Sequence, residues 1–186
     1  MQKLLKGENK KITVTTILMC LLGIALGVLL HFAYEWSGEN FFVALFSGVN
    51  ESTWEHLKLL FMPFIFTLII EYFIYGKDVK NYFSAKLFGI ISGMLFIVIA
   101  YYTITGAFGK APDFINIAIY VLAALIAYGY ALCRMTRNVK IGGGLFETLS
   151  IILFAVIMGA FFIFTYYPPH IPLFADPING KYSIYA

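Results

Sequence analysis

Apolar residues run along this chain in five long blocks, at 12–33, 55–75, 85–106, 114–133 and 145–166, with polar and charged residues gathered between them. A helix rises 1.5 Å per residue, so a block of about 20 residues crosses a hydrocarbon core of roughly 30 Å. The pattern predicts an all-α integral membrane protein, a bundle of five transmembrane helices. A further apolar run, Phe41 to Phe46, is too short to cross and predicts an interfacial or re-entrant helix near 40–47. The intervening pieces are too short for a soluble domain, so residues 1–186 read as one transmembrane domain. The basic start MQKLLKGENKK precedes an apolar block of about 22 residues, longer than the 7–15 of a secretion signal. It is expected to be a retained first span.

Composition agrees with this pattern. Of 186 residues, 61% are hydrophobic and 12% charged, against about 25% charged in soluble domains. That excludes a soluble globule and a disordered chain. The net charge is only +3, and the basic residues are scattered, so no nucleic-acid surface is expected. Cys20 and Cys133 have no partner at metal or redox spacing and read as small packing residues.

Charge also sets a direction. Lys3, Lys6, Lys10, Lys11, Lys77, Lys80, Lys86, Arg134, Arg137 and Lys140 fall on one side of five spans, and Lys58, Lys110 and Lys181 on the other. Loops rich in Lys and Arg stay cytoplasmic. The expectation is a multi-pass protein of the cell membrane, with its N-terminus in the cytoplasm and its C-terminus outside. Tyr72, Tyr75, Tyr82, Tyr128 and Tyr130 then read as an inner aromatic belt, with Trp36, Trp54, Tyr101, Tyr102, Tyr166 and Tyr167 as the outer one. Two G-x-x-x-G stretches, Gly23 to Gly27 and Gly89 to Gly93, allow close helix approach. They serve either a homo-oligomer in the bilayer or packing within the bundle. Gly142-Gly143-Gly144 opens the fifth span.

The polar chemistry is uneven. His31, His56 and His170 all lie on the outer side, with Glu35, Glu39, Glu51, Glu55, Asp113 and Asp176. The tail from Pro168 onward is too apolar and too punctuated for a free tail, and is expected to fold over the outer face. Glu51 and Glu55 are four residues apart, as are Ser52 and His56, which places each pair on one helical face. Imidazoles with carboxylates suit a divalent metal such as zinc, and a metal-bound water could attack a carbonyl or phosphoryl group. In that reading His31, His56 and His170 ligate, while Glu51, Glu55 and Ser52 do the catalytic work. The plainer reading of Ser52 and Glu55 is a capping box that starts a helix. No H-E-x-x-H or G-x-S-x-G signature is present, and Asn50-Glu51-Ser52 is a bare glycosylation sequon. Asn116, Glu147 and Glu71 stand in apolar surroundings. Glu71 and Glu147 are expected to reach water, or in the case of Glu147 to pair with Arg134, Arg137 or Lys140.

The block N-E-S-T-W-E-H-L-K at 50–58 and the tail P-P-H-I-P-L-F at 168–174 resemble an uncharacterised family of small bacterial multi-span membrane proteins. The resemblance implies a multi-span fold and no activity. Three functions stay open: an outer pocket for a metal ion or small polar ligand, in one version a membrane-embedded hydrolase; a small transporter or channel component; and a protein that works through helix association.

Overall fold

The computed structural model describes residues 2–109, 112–137, 143–182 and 184. Lys110, Lys140 and Gly142, and the side chains of Lys3, Lys6 and Asp113, lie outside the described residues. Six α-helices follow in order: α1 (Gln2–Trp36), α2 (Phe41–Ala44), α3 (Thr53–Ile74), α4 (Tyr82–Phe108), α5 (Asp113–Thr136) and α6 (Gly143–Tyr166). No strand occurs among the described residues. All but α2 contain a stretch long and apolar enough to cross a membrane. The short connections make neighbours antiparallel, so one end of the bundle carries the histidines and the other most of the basic residues. We call these the histidine end and the basic end.

Local chemistry explains the boundaries. Gly38 and Glu39 take left-handed backbone (φ 68° and 62°) and close α1 with bonds back to Glu35 and Tyr34 carbonyls. The run at 41–46 forms a single turn, α2, whose first N–H groups donate to Asn40 Oδ1. Ser52 caps α3, its Oγ accepting from the Glu55 N–H at 3.3 Å. Glu55 does not return the bond to Ser52 as a capping box would. It reaches one loop further and accepts from the Val49 N–H at 3.1 Å.

Helix α5 sits between α1 and α4 and explains both glycine pairs. A Cβ on Gly23 would run into the hydroxyl end of Tyr128, and one on Gly27 would stand 2.7 Å from Tyr120 Cζ and 2.9 Å from the Leu59 carbonyl. Pro63 has no N–H to offer that carbonyl. On the other side of α5, Gly93 lies against the Ala123 carbonyl and Ala127 Cβ, and Gly89 against the Ala127 carbonyl and Ala131 Cβ. All four glycines are therefore taken up within the chain. Helix α6 joins through large rings instead, with Phe154 and Phe161 against Phe61 and Trp54.

Several polar residues occupy unexpected places. Tyr75, Tyr82 and Tyr128 are buried in the bundle rather than forming an interfacial belt. Glu71 does not reach water: it is 0% exposed and ion-paired with Lys86, itself 0% exposed. Lys86 is therefore not a free inner-loop charge. Phe64, Tyr82 and Tyr128 rings surround its ammonium at 5.4–5.8 Å. Glu147 turns from the basic residues and caps α4, accepting from the Phe83 and Ser84 N–H groups at 2.8 and 3.2 Å. At the basic end Lys11 donates to the Ile74 carbonyl, which finishes α3. There Tyr75 bonds Thr16 at 2.9 Å.

Candidate functional site

The histidine end is held together by a second buried ion pair. Lys58 Nζ donates to Glu55 Oε2 at 2.5 Å, to the Ala44 carbonyl at 2.9 Å and to Thr165 Oγ1 at 2.9 Å. An ammonium has three donors, and all three are used. This lysine clasps α2, α3 and α6, and its partner Glu55 also holds the Val49 N–H. Ser52 is 1% exposed and Glu55 2%. Their contacts are those of a helix cap and a structural ion pair, and neither is among the residues lining the two pockets described below. The signal for the clasp was the Glu55–Lys58 spacing of three, on one helical face.

The tail folds onto this clasped end. The Trp54 backbone N–H donates to the Leu173 carbonyl at 3.0 Å, and Phe174 packs on the Trp54 ring. A tight turn at Asp176–Lys181, closed by N–H to carbonyl bonds of 2.8 Å in both directions, presents Pro177 and Ile178 to the bundle. His170 is exposed, and its ring packs at a tilt on Tyr182, 4.6 Å between centres.

His31, Glu51 and His56 do meet. His31 Nε2 lies 3.5 Å from Glu51 Oε1, and His56 Nε2 lies 3.7 Å from Glu51 Oε2. The two imidazole centres are 6.0 Å apart. His56 Nδ1 lies 2.9 Å from the Ser52 carbonyl. A carbonyl only accepts, so Nδ1 carries the proton, and in the neutral ring Nε2 is left as an acceptor facing a carboxylate.

Two adjoining pockets, of about 340 and 490 Å³, open at this cluster and share Glu51, His56, Asn116, Tyr120 and Ile178. The smaller continues past Tyr101 and Thr105 of α4, and the larger past His31, Val28 and Gly27 of α1. Neither is lined by a Lys or Arg among the described residues. Volumes of this size suit a small organic ligand. Also among the described residues, no group of three or more His, Cys, Asp or Glu stands arranged to hold a metal ion. Sequence reasoning placed Asn116 in the membrane as an isolated polar residue. The fold brings it to the same pockets, because α5 starts at the level where α1 ends.

No curated protein and no solved structure matches the chain. A family model described as a family of unknown function, DUF6512, matches residues 1–184. The match takes in both the Asn50–Lys58 block and the Pro168–Phe174 tail, and the chain belongs to this family of unknown function.

Proposed function

We propose that the protein is a ligand-binding membrane protein, N-terminus inside and histidine end outside, that takes a cationic, hydrogen-bond-donating group at Glu51. One observation carries this reading: a carboxylate stands between two imidazoles at pockets whose lining, among the described residues, holds no Lys or Arg. When His56 is neutral, its lone-pair nitrogen and the carboxylate oxygen at 3.7 Å are both acceptors, so a donor or a cation between them is favoured. Below the pockets, Leu60, Phe64 and Ala124 are buried in close packing, which supports binding over passage across the bilayer. The side chains of Ser52 and Glu55 are spent on structure, so no hydrolytic step is assigned to them.

A divalent metal is the second reading. His31, His56 and Glu51 offer zinc chemistry, with His170 elsewhere. Two imidazoles on one tetrahedral zinc place their ring centres roughly 5 Å apart, from bonds of about 2 Å. The observed 6.0 Å is wider, which ranks the organic cation first.

Saturation-transfer NMR on the detergent-purified chain tests this with ethanolamine as probe. The expected result is transfer in the wild type that falls at least five-fold in Glu51→Gln. Glu51 is 40% exposed at its side chain, so this variant should keep its melting temperature. Absence of transfer, or equal transfer in the variant, overturns the reading. A one-to-one zinc isotherm that His56→Ala abolishes, with no ethanolamine signal, replaces the organic cation with a metal.

A further inference from the structure

We propose that the ligand is a lipid-like amphiphile, a single acyl chain under a primary-amine headgroup, that enters sideways from the outer leaflet between α1 and α5. This deepens the reading of Glu51 and rests on it.

The head is argued from donors and acceptors. A primary ammonium has three N–H donors. Glu51, His56 and Asn116 line both pockets, and their side chains carry a carboxylate, an imidazole nitrogen and an amide oxygen that can accept. Asn116 Oδ1 is enclosed and has no hydrogen-bond partner. An enclosed amide oxygen without a donor is costly, and a ligand N–H met by a turn of the Asn116 side chain toward the pocket removes that cost. With no Lys or Arg in the lining among the described residues, a headgroup with phosphate and no amine finds no counter-charge there. A quaternary ammonium has no N–H for Asn116.

The chain is argued from depth and exposure. The larger pocket runs from His31 down to Gly27 on α1, and from Asn116 down to Tyr120 on α5. Gly27 and Tyr120 lie about 10–13 Å below the ends of their helices, at 1.5 Å per residue. That is a third or more of a core of roughly 30 Å. The walls there are Val28, Phe32, Leu59 and Ile117. Ile117 is 61% exposed and Phe32 42%, on helices whose outer surfaces face acyl chains. The polar end thus sits at headgroup level, and the apolar length opens to the hydrocarbon rather than to water. Ile178 of the folded tail closes the top. A water-soluble amine would leave the apolar length unfilled.

Native mass spectrometry of the full chain, released from micelles containing lysophosphatidylethanolamine or lysophosphatidylglycerol, tests this. The expected result is one retained lysophosphatidylethanolamine, at least five-fold over lysophosphatidylglycerol. Glu51→Gln should remove that preference, and Ile117→Trp, at an exposed position that tolerates bulk, should lower retention by a similar factor. Equal retention of both lipids, or retention that Ile117→Trp does not change, overturns the proposal. Glu51-dependent ethanolamine transfer with no retained lipid overturns the amphiphile and leaves the reading of Glu51 standing. Failure of both probes overturns both.

Discussion

Two buried lysine–glutamate pairs lie at opposite ends of the bundle, and their surroundings give them different energetics. Around Lys58, every ammonium proton has an acceptor and Glu55 also holds the Val49 N–H. Around Lys86, the ammonium faces Glu71 and three aromatic rings. Removing one partner of a buried pair costs about 3–5 kcal/mol, whereas replacing both by apolar residues is often neutral or stabilising. Glu71→Leu alone should therefore lower the unfolding temperature in detergent sharply, and Glu71→Leu with Lys86→Met should restore it. The equivalent double change at Glu55 and Lys58 should not restore stability, because the Ala44 carbonyl, Thr165 and the Val49 N–H lose their partners. Equal behaviour of the two doubles in thermal unfolding would contradict this distinction. The Glu55–Lys58 pair had a local signal in its spacing of three, but the Glu71–Lys86 pair had none. Glu71 and Lys86 sit near helix ends, where a long side chain can reach water, and only the α3–α4 turn, which sets the two ends side by side, decides that they meet.

At the scale of elements, α5 does most of the organising, and one face differs from the other. Its alanine face, Ala123, Ala127 and Ala131, is fully buried against Gly89 and Gly93. Its tyrosine face puts Tyr120 and Tyr128 onto Gly27 and Gly23. Small residues matter here because a backbone carbonyl cannot step aside. A Cβ at Gly93 would stand 2.7 Å from the Ala123 carbonyl, while nothing lies within 4 Å at Gly106 on the same helix. Gly93→Leu should destabilise by about 1–3 kcal/mol or prevent folding. Gly106→Leu should be neutral or gain up to about 1 kcal/mol of helix propensity. Thermal melts of the two variants check the pair; equal melts would mean that the α4–α5 contact is looser than the geometry implies. The existence of these helices was plain from the sequence, because an apolar block of 20 residues has few alternatives. The glycine motifs marked close approach and left its partner open. The partner depended on α5 lying between α1 and α4, which no local pattern encodes. The candidate site divides in the same way. His31, Glu51 and His56 were legible as a group, since the charge pattern puts helix ends from one side together. His170 was grouped with them on side alone, and the tail turn carries it elsewhere.

For the whole molecule, sidedness rests on basic residues, and burial changes which of them count. Lys86 and Lys58 are both enclosed and neutralised by their carboxylates, so neither can be held by a cytoplasmic surface. Setting both aside leaves nine basic residues on the N-terminal side and two on the other, so the bias survives. The charges at the basic end include Lys77 and Lys80 beside the α3–α4 turn, Arg134 in the last turn of α5 and Arg137 just after it. Retention of such loops in the cytoplasm is what fixes topology. The histidine end has Glu35, Glu39 and Glu51 and few free cations, and it is the end at which the pockets open. If that end faces outward, a cysteine at Ser37, in the exposed turn after α1, should react with a membrane-impermeant maleimide on intact cells. A cysteine at Lys77 should react only after permeabilisation. Cys20 and Cys133, replaced by alanine, remove the background. The reverse labelling pattern would place the Glu51 pocket on the cytoplasmic leaflet, and the ligand would then have to be drawn from there.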